Sequence, residues 1–407
     1  RSGIITFPSG CFQIAASLIA GNSAGTNEST EGTIYLRGAG AAYNPSGLAP
    51  NTEIRWDSAT VPGSATPMIQ FSGPINAGGI EGILLNANNT ANVYFVNQRH
   101  HAYGTFRNVW AKRSPVSPSW IVTTSSNTYP YGSCYNRYDQ LHITNDGVSG
   151  AGGMYLTGAT GSGRDACSNL FTDGEIWYDS DTAGTYGVKL DYADNNTFLR
   201  FNLFRTSAGP GALESAYNSS SAWAVSCNTS TDYCTLGASN SAIVNGSRVR
   251  FSYTGSLPTG IAWAFPYFVI NKSGNSFQVS TTSGGSAVDI TTTGSNVIVF
   301  LINPGVLLER YSGDTSFPKE NAWYSSAIHN GVWSPNPPTG GNDFPEFQPD
   351  DCYVSPCIPD LDYVWGKAKG QMLGSGTTPP GVEVRHSDSQ NTFRINQASG
   401  LNNGAGR

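Results

Sequence analysis

The chain has 407 residues, of which 12% are charged and 48 are glycine, and its 12% of aromatic residues can supply a folded core. The formal net charge of −6 argues against nucleic acid as a partner, because phosphate binding requires clustered Lys and Arg. No apolar run approaches the length of a bilayer span, so we expect no membrane insertion.

Short strands separated by Gly and Pro turns make up the first sixty residues. They lie in "GIITFPSGCFQI" (3–14), "GTIYLRGAG" (32–40) and "TEIRW" (52–56). Such β-branched and aromatic runs, bounded by turn residues, predict β-strands. Neither these segments nor the repeats that follow show the sustained 3.6-residue periodicity of a helix.

An Asn-x-aromatic element recurs along the chain at Asn108, Asn136, Asn169, Asn196 and Asn321. The first three steps are 28, 33 and 27 residues long, and the last is 125. Repeats of this length, with strand-like halves and Gly or Asn turns, indicate a solenoid whose unit cannot bury its own core. Parallel crossovers are right-handed, so we predict an all-β fold, a right-handed parallel β-helix.

We assign a structural role to these five asparagines. Asn tolerates left-handed backbone conformations at turns, and its amide can form a hydrogen-bonded ladder with the same residue one coil away. The aromatic residue two positions later is expected to face the interior and to stack along the axis.

Residues 221–300 have a sequence pattern that differs from that of the repeats. Their alternating strands and Asn-Gly and Gly-Gly turns predict a compact antiparallel sheet or barrel. The segments "NGSRVRF", "LPTG", "YFVIN" and "NSFQVS" resemble a small β-module of many phage tail and neck proteins. For this inserted module we expect a packing or assembly role rather than glycan binding.

The repeat pattern ends near residue 335. The segment "SPNPPTGGNDFPEFQPDDCYVSPCIPD" (334–360) is rich in Pro, which a central strand does not accept. We therefore expect four regions. They are β-helix coils (1–220), an inserted β-domain (221–300), further coils (301–335), and a Pro/Gly-rich loop with an extended C-terminal tail (336–407).

Seven cysteines and five histidines occur in the chain. The pairs Cys227/Cys234 and Cys352/Cys357 are close enough in sequence for local disulfides. Neither pair has the CxxC spacing of a zinc site, and the histidines do not lie at ligand intervals. We expect no metal and no cofactor.

The early strands also carry a family resemblance. A strand, a Pro-x-Gly turn in "FPSG", a second strand and an LxGxG-like turn in "LRGAG" resemble the pectate-lyase-like β-helix superfamily, in particular bacteriophage tailspikes and tail fibres. The resemblance implies a homotrimer in the virion tail, in contact with other tail proteins. Family members carry a further segment before the "FPxG" turn, so we expect this chain to be part of a longer polypeptide.

One pair of carboxylates is a candidate catalytic pair. Aligning Gly187 with Gly305 places Asp191 opposite Glu309 on the outer face of adjacent coils. Neighbouring strands are about 4.8 Å apart, close to the roughly 5–5.5 Å between the carboxylates of retaining glycosidases. The alternative is a solvated outer face, on which Lys189 helps to neutralise both carboxylates.

Glycan-binding candidates lie one coil earlier and near the insertion. Trp177 would be the stacking platform for a sugar ring, and the acidic candidates are Glu175, Asp179, Asp181 and Glu214. The doubled histidine His100-His101 is expected in a loop at a coil corner, without a catalytic role.

The sequence favours a non-enzymatic function. Neither the successive motifs of polygalacturonases nor a GxSxG nucleophile elbow occurs. We therefore expect a tail fibre or tailspike-like virion protein that binds host surface polysaccharide. One alternative is a depolymerase, either a glycoside hydrolase or a lyase, on the same β-helix, and another is a bacterial extracellular adhesin.

Overall fold

The structure is a computed structural model, and it places most of the first 333 residues together with short strands beyond them. The described residues are 3–21, 34–41, 52–123, 132–150, 152–158, 165–179, 185–206, 222–238, 243–262, 267–281, 284–301, 303, 305–308, 321–324, 326–329, 332–333, 347–350, 353–355, 366–368, 371–373 and 384–386. Within these ranges the fold is all-β, as predicted, and no helix is long and apolar enough to cross a membrane.

A 15-stranded parallel sheet is the largest sheet of the described structure. Its main path contains β1 (Gly3–Thr6), β4 (Ile34–Arg37), β7 (Gly79–Asn86), β9 (Thr105–Lys112), β11 (Arg137–Thr144), β13 (Leu170–Thr172), β16 (Thr197–Leu199), β25 (Asn321–Tyr324) and β28 (Phe347–Asp350). The second halves of β7, β9 and β11 continue a second row of strands. That row also holds β2 (Gly10–Ile14), β5 (Thr52–Trp56), β14 (Glu175–Asp179), β17 (Asn202–Thr206), β26 (Ala327–His329) and β29 (Tyr353–Ser355).

An 8-stranded parallel sheet supplies the third row. Its strands are β3 (Leu18–Gly21), β6 (Thr66–Asn76), β8 (Val93–Ala102), β10 (Trp120–Thr123), β12 (Met154–Thr157), β15 (Val188–Asp191), β24 (Val306–Leu308) and β27 (Val332–Trp333). The register pairs Met154 with Val188 and Val188 with Val306. The glycine-initiated segments of the sequence therefore lie side by side.

A column of aromatic rings fills the interior between the sheets. Phe106, Tyr138, Phe171, Phe198 and Trp323 are fully buried. Successive ring centroids are 5.0, 4.3, 4.5 and 3.9 Å apart, with interplanar angles of 11° or less. From Tyr138 onwards, each ring lies two residues after one of the repeated asparagines Asn136, Asn169, Asn196 and Asn321. The alternation of side chains along a strand turns both residues to the interior.

A ladder of buried asparagines runs beside this column. The Asn169 Oδ1 accepts from the backbone and side-chain nitrogens of Asn136, both at 3.0 Å. Asn196 accepts in the same way from Asn169 at 3.1 and 2.9 Å, and Asn321 from Asn196 at 3.1 and 2.9 Å. The rungs are 33, 27 and 125 residues apart in sequence, so the chain returns to the same register after residues 222–301.

Asn108 does not belong to this ladder, in contrast to the sequence prediction. Gly104 occupies the equivalent position, and its amide donates to Asn136 Oδ1 at 2.8 Å. Asn108 has a φ of 48° in the middle of β9, where the strand bends from the first row into the second. It is structural there, but the ring in the interior column is Phe106 rather than Trp110.

The bend is a recurrent feature of the parallel rows. The residues at or beside this position have left-handed backbones, namely Gly82, Asn108, Gln140, Asp173 and Arg200, with φ between 48° and 66°. Only Gly adopts this conformation without cost, and Asn and Asp tolerate it best among the others. The position nevertheless holds five different residue types in this chain. This diversity obscures the repeat in the sequence.

A buried polar network crosses the interior near β8. The Oε1 of Gln98 accepts from Trp120 Nε1 and from Tyr138 OH, each at 2.8 Å. The Nε2 of Gln98 lies 3.2 Å from His101 Nδ1, and His101 Nε2 lies 2.8 Å from the Ala77 carbonyl oxygen. Because a carbonyl can only accept, His101 Nε2 carries a proton. The amide nitrogen of Gln98 can only donate, so His101 Nδ1 carries none and the imidazole is neutral.

The doubled histidine is therefore part of a strand and not a corner loop. His100 and His101 are buried in β8, and the His101 ring stacks on Phe71 with centroids 4.7 Å apart. Burial lowers the pKa of His101 to about 4, because the charged imidazolium would lose its hydration.

The chain between the last two ladder rungs forms a closed antiparallel barrel. Its strands are β18 (Ala222–Cys227), β19 (Cys234–Leu236), β20 (Arg248–Ser256), β21 (Tyr267–Ser273), β22 (Ser276–Ser280) and β23 (Ser295–Leu301). The barrel has a core of its own, which includes Val249, Val269, Phe277 and Val299. A Cys227–Cys234 disulfide joins β18 to β19, as the close spacing of the two cysteines suggests. The barrel confirms the antiparallel prediction for this segment.

Strands also occur in the C-terminal region, for which the sequence predicts a loop and an extended tail. β28 and β29 pair parallel with β25 and β26, and β30 (Gly366–Ala368), β31 (Gln371–Leu373) and β32 (Val384–His386) form a small antiparallel sheet. Pro349 lies in β28, the last strand of its path in the described structure. Proline is compatible with an edge strand, so the Pro-rich composition does not end the strands. Cys352 and Cys357 lie outside the described residues.

A second disulfide, Cys134–Cys167, was not anticipated from the sequence. It closes 33 residues and joins two neighbouring turns of the chain. Each cysteine lies two positions before a ladder asparagine, Asn136 or Asn169. The two C-x-N triplets at the repeat spacing are the signal that predicts this bond.

Candidate functional site

The outer surface of the second strand row carries a cluster of aromatic, imidazole and carboxylate groups. The register places Trp110, His142 and Glu175 next to one another on β9, β11 and β14. The Trp110 and His142 rings are stacked, with centroids 4.3 Å apart. The His142 Nδ1 lies 3.3 Å from Glu175 Oε1, and these two side chains retain 20% and 24% of their exposure.

A parallel line of residues lies two positions further along the same strands. It brings Trp177 on β14 beside Phe204 on β17, with ring centroids 4.8 Å apart and planes tilted by 41°. Trp177 and Phe204 are half-buried. We call the five residues Trp110, His142, Glu175, Trp177 and Phe204 the outer cluster.

Glu175 is the charged centre of the outer cluster. Burial raises the pKa of its carboxyl, but hydrogen bonding from His142 and Trp177 outweighs this effect and the pKa lies below its usual range. Glu175 therefore stays ionised at neutral pH and lies beside the aromatic rings. Sugars match such a surface, because their C–H faces pack on rings and their hydroxyls donate to carboxylates.

Asp179, another predicted glycan-binding residue, is not part of the outer cluster. Asp179 is buried, and its Oδ2 accepts from the backbone nitrogen of Gly150 at 2.7 Å. This bond fixes a neighbouring turn, so the carboxylate does not face a ligand. Asp181 and Glu214 lie outside the described residues.

Asp191 does not lie on a solvated outer face. It ends β15 with only 5% of its surface exposed, and its Oδ2 accepts from Tyr155 OH at 2.7 Å. The Lys189 ammonium lies 4.8 Å from the centre of the same tyrosine ring, which covers the carboxylate from the neighbouring strand. Tyr192 follows the strand in a left-handed conformation with φ 49°.

The second member of the predicted catalytic pair cannot be placed. The register of β15 and β24 runs from Val188 and Val306 to Leu190 and Leu308. This agrees with the alignment of Gly187 with Gly305, but Glu309 lies outside the described residues. The pairing of Asp191 with Glu309 stays a prediction.

Another carboxyl pair joins neighbouring turns. Burial raises the pKa of Asp165, and a hydrogen bond to Asp194 acts in the opposite direction. The backbone nitrogen of Ser168 donates to the Asp194 carbonyl at 3.1 Å, which ties the two turns together.

Metal-binding groups do not converge in the described part of the chain. No group of three or more His, Cys, Asp or Glu side chains there could hold a metal ion. The closest combination in the outer cluster is His142 with Glu175, which supplies two donors.

Sequence reasoning found two of the five outer-cluster residues, Glu175 and Trp177. It missed Trp110 because the asparagine at 108 seemed to align it with the interior rings. His142 was missed because ligand intervals were sought within one strand, whereas Trp110, His142 and Glu175 follow one another at the repeat spacing of the register. That spacing is the signal that predicts the cluster.

Comparisons with known proteins add little to this picture. No family model and no curated protein matches the chain. Among solved structures the chain is similar to ORF18 of Geobacillus virus E2, with 13% identity and a TM-score of 0.29, over 76% of this chain and 69% of that one. A TM-score this low assigns neither a fold nor a function.

Proposed function

We propose that the protein is a β-helical fibre component that binds surface glycans without cleaving them. The observation that carries the proposal is the outer cluster, in which an ionised Glu175 lies among Trp110, His142 and Trp177. Aromatic rings beside a fixed acceptor are suited to sugar rings, and the low charge of the chain suits neutral ligands.

The fibre is a right-handed parallel β-helix in this proposal. Its support is the pairing of parallel strands in three rows, with the asparagine ladder and the aromatic column repeating at every rung. Parallel connections are right-handed in nearly all proteins. The four regions 1–220, 221–300, 301–335 and 336–407 remain our proposed division, with the barrel as the inserted domain.

The virion is the proposed location, as a tailspike or tail fibre. The support is the sequence resemblance of "FPSG", "LRGAG" and the "NGSRVRF" segment to phage tail proteins. A homotrimer, other tail proteins and host surface polysaccharide are the partners that follow from this resemblance. A bacterial adhesin would use the same outer cluster and differs by carrying a secretion signal.

The depolymerase alternative has weaker support. Tyr155 covers Asp191, and hydrogen bonding keeps Glu175 ionised rather than protonated. A general acid must hold a proton at the working pH, which the lowered pKa of Glu175 opposes.

Binding to an array of bacterial capsular and O-antigen polysaccharides tests the proposal. We expect the protein to bind a subset of them and to release neither reducing ends nor unsaturated uronate. Trp177→Ala and Glu175→Gln should each weaken binding by about tenfold with an unchanged melting temperature. Tyr253→Ala, on the exposed barrel surface, is the matched control. Absence of binding, or release of fragments, would contradict the proposal.

A further inference from the structure

Two exposed tyrosines form a stacked pair at a corner of the strand rows, away from the outer cluster. Tyr103 and Tyr135 lie just before β9 and β11 and are 59% and 55% exposed. Their ring centroids are 5.1 Å apart and their planes differ by 8°. They are among the most exposed large side chains of the described structure.

Both tyrosines have left-handed backbones, with φ of 56° and 60°. The same conformation recurs at this corner in Ala77, Ser168 and Asn195. For a bulky residue it is unfavourable, whereas Asn adopts it readily. Folding alone would therefore favour Gly or Asn here, as at Asn195, and it does not explain two aromatic rings in water.

The corner is held rigidly beneath the rings. The backbone nitrogen of Tyr103 donates to the Cys134 carbonyl and that of Tyr135 to the Cys167 carbonyl, each at 3.1 Å. The Cys134–Cys167 disulfide joins the turn of Tyr135 to the next turn, which carries Ser168. The ring pair is thus preorganised, which reduces the entropy lost when a ligand binds.

Small residues neighbour the pair along the corner in the described part of the chain. Ala77 precedes Tyr103 and Ser168 follows Tyr135 in the same column, and both have small side chains. The column continues with Asn195, whose Nδ2 lies 3.3 Å from Ser168 Oγ. Aromatic rings next to a neutral hydroxyl and amide have the chemistry of a saccharide site. A protein partner is less suitable, because two rings offer too little area for a stable protein interface.

We propose that Tyr103 and Tyr135, with Ser168 and Asn195, form a second saccharide site for a neutral pyranose ring. The C–H face of the sugar packs on the outer face of Tyr135, and its hydroxyls contact Ser168 and Asn195. This site rests on the proposed glycan-binding function and extends it to a different corner of the fibre.

The test uses the full chain on the polysaccharide array, with binding measured at equilibrium and the melting temperature of each variant. The double variant Tyr103→Asn/Tyr135→Asn should bind about tenfold more weakly. It should melt at or above the wild-type temperature, because Asn accepts the left-handed backbone. Tyr253→Asn on the barrel is the control, and Tyr135→Trp should retain binding.

The outcomes separate this site from the outer cluster. Loss of binding in the tyrosine variant at undiminished stability supports the second site. Binding that is lost in Trp177→Ala but kept in the tyrosine variant would overturn the second site and leave the proposed function intact. A lower melting temperature with unchanged binding, or a changed oligomeric state alone, would overturn it as well. Wild-type protein that binds no polysaccharide would overturn both proposals.

Discussion

At the scale of single residues, buried asparagines stabilise the fold through hydrogen bonds between neighbouring turns. Asn169 is 1% exposed, and its Oδ1 accepts two bonds from Asn136. Its Nδ2 donates to Asn196 Oδ1 and to the Ser133 carbonyl at 2.9 and 3.1 Å. No apolar side chain of similar size satisfies these partners, and a buried donor without an acceptor costs more than an ordinary hydrogen bond contributes.

Asn169→Ala is therefore expected to lower the free energy of unfolding by about 3 kcal/mol. The measurement is denaturant unfolding followed by circular dichroism. Asn195→Gly is the control, since Asn195 is exposed and left-handed, and its loss should change stability by less than about 0.5 kcal/mol. An equal change in the free energy of unfolding in the two variants would contradict a stabilising role of the asparagine ladder.

His101 makes stability depend on pH. Its pKa is about 4 in the folded protein against 6.5 for a free histidine, so the unfolded chain takes up the proton first. Stability is then complete above pH 6.5 and falls as the pH drops towards 4, by about 3 kcal/mol in total. The variant His101→Asn should lose this part of the pH dependence. A parallel pH profile in wild type and variant would contradict the assignment.

At the scale of elements, the same asparagine hydrogen bonds and stacked rings join neighbouring strands. The Cys134–Cys167 disulfide adds a covalent link between two turns separated by 33 residues. Closing a loop of this length in the unfolded chain is worth about 4 kcal/mol in the chain-entropy description. It also fixes the corner at which Tyr103 and Tyr135 lie.

We expect Cys134→Ser/Cys167→Ser to lower the free energy of unfolding by about 4 kcal/mol. Cys11→Ser removes an exposed free thiol and should leave stability unchanged. The two proteins are compared by urea unfolding without reductant. A disulfide variant as stable as wild type would show that the strand rows hold the corner without it.

The strand elements were predictable wherever the repeat depends on buried chemistry. Asn136, Asn169 and Asn196 with their rings recur because each rung needs the same amide and a flat apolar side chain. Asn108 shows the limit, because a left-handed bend accepts Gly, Asn, Gln, Asp or Arg and so leaves a weak pattern. Pro349 shows another limit, since the edge position of β28 cannot be read from composition.

At the scale of the whole molecule, the strand register brings the residues of the outer cluster together. Trp110, His142 and Glu175 are distant in sequence and meet because three strands stand in line. The sequence indicated Glu175 and Trp177 but not their neighbours, since the alignment of the coils placed Asn108 at the ladder position that Gly104 occupies. It also placed Asp191 on the surface, because alternation does not show that Tyr155 lies over it.

The central claim is that glycans bind at the outer cluster and leave uncleaved. The most direct measurement is a crystal structure of the protein soaked with an oligosaccharide prepared from a polysaccharide that it binds on the array. We predict an intact sugar chain with one ring packed on Trp177 and a hydroxyl donating to Glu175. A sugar bound elsewhere with the outer cluster empty, or cleaved beside Asp191, would contradict the account.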